Sequence, residues 1–164
     1  QRILDVLRKG TTVEENRKAI TLCKEVGIIP QGTFMIGNPT ETVEDIEKTR
    51  QFIKESGVEN PGICITTPFP GTELWEWCEE RGLIPDAIDW SKFTYNDVPI
   101  PACDTISPEE LQRLYYEIAD EVSEGRPIRF SDLLNESFRH PLKVVTKAIQ
   151  YPHRIPKIIS RLRP

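Results

Sequence analysis

Two short apolar segments, separated by one amphipathic helix pattern, constrain the fold of this chain more than any other feature. The first begins at Ile28 and continues through residues 33–36 to Gly37, and the second covers residues 62–67 and ends at Pro68. Short apolar runs that contain β-branched residues and end in glycine or proline predict buried strands. Buried strands in the order strand, helix, strand predict parallel pairing through a right-handed crossover, and hence an α/β fold.

Capping residues mark the ends of the helices around these strands. A capping box predicts a helix that begins at Thr12, and Thr42, with Asp45 at the third helical position, is predicted to cap another. These helices end before Gly27 and Gly57. After Ser107, apolar residues recur at strict helical spacing, which predicts a long helix. Further helices are predicted over residues 2–9, 72–81, 131–138, 142–151 and 155–163, with an irregular segment at residues 83–106.

Composition excludes some classes of protein without selecting an activity. The chain has 164 residues, 38% of them hydrophobic, which is enough for a core of its own. It contains no run of about 18 apolar residues and no signal-peptide pattern, so we predict a cytoplasmic protein without a membrane span. Because the chain opens with Gln1 in what reads as the middle of a helix, we also expect a piece of a longer protein.

Charge is distributed unevenly along the chain. Residues 1–136 carry 14 basic and 26 acidic groups, whereas residues 137–164 carry seven basic groups and no acidic group. The tail therefore predicts short basic amphipathic helices, which suit peripheral contact with an anionic membrane surface and a lipid-like substrate. We favour the other interpretation, in which these helices pack across the acidic body or another domain. The pattern does not indicate nucleic-acid binding.

The residue types that usually hold metals or react as nucleophiles form no recognisable motif. The four cysteines lie 41, 14 and 25 residues apart, which matches neither a zinc nor an iron–sulfur motif. We therefore predict no metal site in this chain and a reducing compartment. Cys64 is expected to be a buried strand residue, Cys103 an exposed loop residue and Tyr115 a core residue. His140 and His153 have no ligand partner at metal spacing.

The loops that follow the two predicted strands are the candidate binding site. In parallel α/β folds, ligands bind at the loops that leave the carboxyl ends of the strands. Residues 37–42 combine glycine and proline with a helix N-terminus, whose free N–H groups can receive a polar ligand. Residues 67–72 add two prolines and the aromatic ring of Phe69. Neither loop contains a nucleophile and base pair, so no catalytic residue is predicted, and simple turns are the alternative.

At these loops the chain resembles the radical S-adenosylmethionine enzymes. Residues 32–42, Gly-Thr-Phe-Met-Ile-Gly-Asn-Pro-Thr-Glu-Thr, are similar to the signature of the family's fifth barrel strand. Residues 68–74, Pro-Phe-Pro-Gly-Thr-Glu-Leu, are similar to its sixth-strand exit, and residues 1–12 to the stretch after its fourth strand. The three matches occur in the order of the family.

The resemblance implies a domain organisation. Residues 1–82 would be the C-terminal portion of a partial six-stranded βα barrel with parallel strands. Residues 83–136 would be an irregular segment and helical extension, and residues 137–164 the basic amphipathic tail.

The resemblance also implies cofactors and a partner. S-adenosylmethionine would be cleaved reductively to a 5′-deoxyadenosyl radical for the modification of a small-molecule or lipid-like substrate. The family's three-cysteine motif has no counterpart here, so the ligands of the 4Fe-4S cluster are expected in the missing N-terminal part of the same protein, and the chain alone is expected to be inactive. Cobalamin is a further implied cofactor, because residues 1–12 and the helical extension are most similar to members with an upstream cobalamin-binding domain.

Six residues are implied to contact the cofactor. Three of them follow the first strand and lie beside the adenosine, and three follow the second and contact the adenine through main-chain hydrogen bonds and apolar contact. They are Ile36, Gly37 and Asn38 in the first group and Thr67, Pro68 and Phe69 in the second.

Three further residues of the first loop have structural expectations. Thr42 is expected to cap its helix, and Glu41 to supply negative charge near the positive helix end. At Thr40 the family commonly has glycine. If that glycine has positive φ, Thr40 must either change the loop geometry or accept strain.

Two alternatives remain. A methylthiotransferase-like enzyme would carry a small β-rich RNA-binding domain where this chain is predicted to be helical, so strands within residues 107–164 would overturn the cobalamin-type assignment. A non-catalytic α/β binding or scaffold module is the alternative from another class, and it would have to tolerate an exposed sheet edge.

Overall fold

The computed structural model describes residues 1–123, 128–129 and 162–163. Residues Gln1–Ser123 form one compact unit and Glu124–Pro164 another. The predicted helices over residues 131–138 and 142–151, together with His140 and His153, lie outside the described residues. The divisions predicted at residues 82 and 136 stay predictions.

The first unit alternates helices and strands before ending in a long helix. Its elements are α1 (Arg2–Val6), α2 (Val13–Glu25), β1 (Thr33–Ile36), α3 (Val43–Ser56), β2 (Gly62–Ile65), α4 (Glu73–Glu80), a 3₁₀ turn (Trp90–Lys92) and α5 (Pro108–Ser123). None of the helices among the described residues has the length and apolar character needed to cross a membrane.

Both predicted helix caps are present, and each forms a capping box. The Thr12 hydroxyl accepts a bond from Glu15 N at 3.1 Å, and the Glu15 carboxylate accepts one from Thr12 N at 2.7 Å. Thr42 and Asp45 repeat this arrangement at the start of α3. Each box satisfies N–H groups that have no partner within the helix, and so fixes where the helix begins.

The two strands pair in parallel, as predicted for an α/β fold. Phe34 lies opposite Ile63, and Ile36 opposite Ile65. The prediction of buried strands was wrong for one face of β1. On that face Thr33 and Met35 are exposed. Ile28 and Ile29 precede β1 and are exposed as well.

The core lies against the other face of this sheet, under α3 and α5. Side chains from both helices pack with Ile36 and Ile65, and Arg50 of α3 forms an ion pair with Glu121 of α5. The apolar stripe predicted for α5 is confirmed, including the buried Tyr115. The buried members of this core are Ile36, Ile46, Ile53, Ile65, Cys103, Ile106, Leu111, Leu114, Tyr115 and Ile118.

Cys103 was wrongly predicted to be exposed, since only 3% of it is accessible. Its thiol donates to the carbonyl oxygen of Glu41 at 3.2 Å while its apolar surface joins the core. The segment around it lacks any periodic pattern, so only its contact with the distant loop after β1 determines its burial.

The second unit contains a parallel pair of two-residue strands, β3 (Ile128–Arg129) and β4 (Leu162–Arg163). The predicted helix over residues 155–163 was therefore wrong at its end. Arg163 precedes Pro164, and a residue before proline is biased toward extended backbone. These two strands meet the condition set against the cobalamin-type assignment, so on this point the fold favours the methylthiotransferase-like alternative.

We expect the α5 contact with the sheet to dominate the stability of the first unit. Leu111→Ala should lower the free energy of unfolding by about 2–5 kcal/mol, because Leu111 is 1% exposed and its loss leaves a cavity. Leu22→Ala removes the same atoms from a side chain that is 50% exposed. It should change the free energy of unfolding by about 0.5 kcal/mol or less. Urea unfolding followed by circular dichroism measures both, and equal losses would contradict this assignment of the core.

Candidate functional site

The two predicted loops lie together at the carboxyl edge of the sheet. Thr66 N donates to the Ile36 carbonyl at 2.8 Å, which extends the ladder beyond β2. The Thr66 hydroxyl donates to Asn38 Oδ1 at 2.7 Å, and both side chains are buried. Thr66 was not among the predicted site residues. The signal for it was the pair of threonines that replaces apolar residues as the strand ends.

Asn38 connects this link to a buried carboxylate. Glu41 Oε2 accepts from Asn38 N at 2.9 Å and from Asn38 Nδ2 at 3.1 Å. Glu41 is 1% exposed, and burial raises the pKa of its carboxyl although the bonds from Asn38 oppose that rise. Glu41 directly precedes the N-cap Thr42, near the helix end as expected, but its carboxylate is buried and closes the loop from within. We call Thr66, Asn38 and Glu41 the buried relay.

Thr40 adopts the strained conformation, with φ of +60°. Hydrogen bonds hold it on two sides. The guanidinium of Arg2 donates to the Thr40 carbonyl at 2.8 Å and to its hydroxyl at 2.9 Å, and Thr40 N donates to Asp104 Oδ1 at 3.1 Å. A β-branched residue in the left-handed region is costly, so these contacts must favour it enough to offset the strain.

Gly37 is required by both conformation and space. Its φ is +78°, and a Cβ placed on it would lie 2.5 Å from Leu111 Cδ2. The main chain at the end of β1 therefore passes directly against α5. A side chain at this position would strain the backbone and require the Leu111 side chain to move.

The structure brings the six predicted cofactor residues to one edge but presents them differently. The side chains of Ile36, Asn38 and Pro68 are buried. Thr67 is half-buried, and its hydroxyl donates to the Ile65 carbonyl at 3.3 Å. Phe69 is 44% exposed and packs edge-on against Phe93, with ring centroids 5.7 Å apart.

This arrangement fits a flat ligand with a polar edge, such as an adenosine. The exposed ring of Phe69 offers a stacking surface. The buried side chain of Asn38 is bonded to Glu41 and Thr66, so its contribution is to hold the loop in place. Among the residues that the structure describes, no group of three or more metal-ligating side chains is placed to hold an ion.

A depression of about 550 Å³ lies away from these six residues. It is lined by residues of α1 and the segment leading into α2, among them Asp5, Arg8 and Glu15. Arg8 also forms an ion pair with Glu73 at the start of α4, so the opening residues approach the loop after β2.

A strand–helix–strand unit with both exit loops joined at one edge places this chain among the α/β proteins, and its relatives identify the family. An uncharacterised methyltransferase of Pyrococcus horikoshii is 34% identical over 113 residues, 69% of this chain and 24% of that protein. The bacteriochlorophyllide d C-8(2)-methyltransferase of Chlorobaculum tepidum is 28% identical over 177 residues, all of this chain and 39% of that protein. The anaerobic magnesium-protoporphyrin IX monomethyl ester cyclase of Rubrivivax gelatinosus is 31% identical over 108 residues, 66% of this chain and 19% of that protein.

The chain belongs to the radical S-adenosylmethionine family, as the resemblance predicted. Methylthiotransferases are also among its relatives. No protein-family model matches the chain. The chain spans between about a fifth and two fifths of the length of the three relatives described above.

The buried relay predicts a pH dependence of stability. Because burial raises the pKa of Glu41 above its ordinary value of 4.5, the folded chain binds more protons than the unfolded chain between these two values. Stability contributed by protonation of this group is therefore present at low pH and lost as the pH rises through the folded pKa. Glu41→Gln does not titrate, so the wild type should lose stability relative to this variant as the pH rises above the ordinary pKa of 4.5.

Urea unfolding at a series of pH values measures this difference in the free energy of unfolding. Glu59→Gln makes the same chemical change on an exposed side chain and should run parallel to the wild type. A constant difference between the wild type and Glu41→Gln across the series would show that Glu41 titrates alike in both states.

Proposed function

We propose that this chain forms part of the adenosine-binding wall of a radical S-adenosylmethionine enzyme. The observation that carries the proposal is the bond from the Thr66 hydroxyl to Asn38, which joins the two strand-exit loops at one edge. When bound, S-adenosylmethionine reduced by a 4Fe-4S cluster supplies a radical for substrate modification. The cluster ligands would come from the part of the protein outside this chain.

In this proposal β1 and β2 are two strands of a partial (β/α)6 barrel. Helices α3 and α5 cover one face of the pair, which would be the outside of the barrel. Met35 and Cys64 lie opposite each other on the other face, where Met35 is 40% exposed. We assign that face to the barrel interior, because a barrel interior needs its own lining side chains.

The residues of the two loops would bind and orient the cofactor. The main chain at Gly37 and the main chain of Thr67 and Pro68 would meet the polar edges of the adenosine. The ring of Phe69 would stack on the adenine, and the buried relay would keep both loops at a fixed separation. These contacts position the cofactor, and the cofactor itself carries the difficult chemistry.

Methyl transfer with cobalamin is the reaction we favour, because two of the three relatives described above are named as methyltransferases and one of them aligns with the whole chain. Named substrates among the relatives are tetrapyrroles, bacteriochlorophyllide d and magnesium-protoporphyrin IX monomethyl ester. A small-molecule substrate is therefore part of the proposal, with ring cyclisation and methylthio transfer as the alternative reactions.

S-adenosylmethionine binding by the protein encoded by the complete reading frame tests the proposal. Phe69→Ala should raise the dissociation constant roughly tenfold, because stacking of a base on an aromatic ring contributes about 1–3 kcal/mol. Ile29→Ala, at the amino end of β1, truncates a side chain that is 61% exposed and should leave the constant unchanged. Isothermal titration calorimetry under anaerobic conditions measures both. A wild-type protein that does not bind S-adenosylmethionine, or equal constants for the wild type and Phe69→Ala, would contradict the proposed site.

A further inference from the structure

The segment that follows α4 holds the loop after β1 from the side of α5. Three consecutive residues make these contacts over a separation of more than 60 positions. Thr40 N donates to Asp104 Oδ1 at 3.1 Å, and the Glu41 carbonyl accepts from the Cys103 thiol at 3.2 Å and from the Thr105 hydroxyl. The predicted cofactor loop is thus closed by residues far outside the motif that resembles the family signature.

We propose that Asp104 is a positioning residue for the cofactor, acting through Thr40. The inference rests on the proposed function, because Asp104 would matter for binding only if the loop over residues 37–42 contacts S-adenosylmethionine. Asp104 is the residue of this segment best suited to the role, since it is exposed and bonds the one loop residue whose backbone is strained.

Asp104 can position the loop because the backbone of Thr40 is strained. A threonine at φ of +60° relaxes toward negative φ unless its flanking peptide groups are held. Arg2 holds the carbonyl side and Asp104 holds the N–H side. Without the carboxylate of Asp104, the N–H of Thr40 loses its acceptor, and the loop between Gly37 and the start of α3 is free to change conformation.

A residue of this segment whose role is confined to packing would be buried in the core. Cys103 and Ile106, on either side of Asp104, are buried in the core, so truncating them would create cavities. Asp104 is exposed, and its removal leaves the core filled. Changes at this residue therefore separate the positioning of the loop from the stability of the fold.

The test compares S-adenosylmethionine affinity in variants of the protein encoded by the complete reading frame. Asp104→Ala should raise the dissociation constant about fivefold, the cost of one hydrogen bond that orders the loop. Asp104→Asn keeps the Oδ1 acceptor and should bind within about twofold of the wild type. Asp86→Ala removes the same charge from an exposed position on the same segment and should bind as the wild type does.

The Thr40→Gly background distinguishes an effect of Asp104 through Thr40 from a merely structural role of Asp104. Glycine adopts positive φ without strain, so in this background Asp104→Ala should change the dissociation constant by less than about twofold. Calorimetric titration of the single and double variants gives the coupling between the two positions, with circular dichroism verifying the fold of each.

Each outcome has one meaning. A wild-type protein without S-adenosylmethionine binding overturns the proposed function, and the role of Asp104 with it. Binding by the wild type with an unchanged constant for Asp104→Ala, or an equal effect of that change in the Thr40→Gly background, overturns the role of Asp104 alone. Failure of Asp104→Asn to restore binding also overturns it, because the charge and not the acceptor would then be what matters.

Discussion

The hydrogen bond from Thr66 to Asn38 is the contact on which the arrangement of the site depends. Parallel pairing places the ends of β1 and β2 at the same edge, and the bond from Thr66 N to the Ile36 carbonyl extends it by one step, but beyond that step no strand pairing keeps the two loops from diverging. The buried relay prevents this, because burying polar groups without partners is costly and each of these three side chains satisfies the next. A buried carboxylate at Glu41 is tolerated because two N–H groups of Asn38 face it.

The chain after α4 completes this edge. Leu111 packs against the glycine that ends β1, and Asp104 holds the strained Thr40. The same region supplies much of the core under the sheet, so the packing that stabilises the unit also fixes the shape of the loop. The chain after α4, whose described residues contain no strand of this sheet, therefore helps to hold the candidate site in shape.

Local patterns predicted the helices and paired strands of the first unit, but they missed the strand at Leu162–Arg163, and long-range contacts were not predictable from them. The capping boxes at Thr12 and Thr42 and the apolar stripe of α5 are encoded within a few residues, and the structure confirms them. The burial of Cys103 and of Glu41 depends on partners that are distant in sequence or on the three-dimensional path of a loop. The edge position of the site followed from strand order, whereas the Thr66 link required the register of the two strands.

The most direct test of this account is S-adenosylmethionine binding when the bond between the two loops is removed without changing shape. Thr66→Val is nearly isosteric with threonine but cannot donate to Asn38, whereas Thr66→Ser retains the hydroxyl. Calorimetry on the protein encoded by the complete reading frame should show weaker binding for the valine variant and near-normal binding for the serine variant. Equal affinity of the valine variant and the wild type would show that the two loops do not act as one adenosine-binding site.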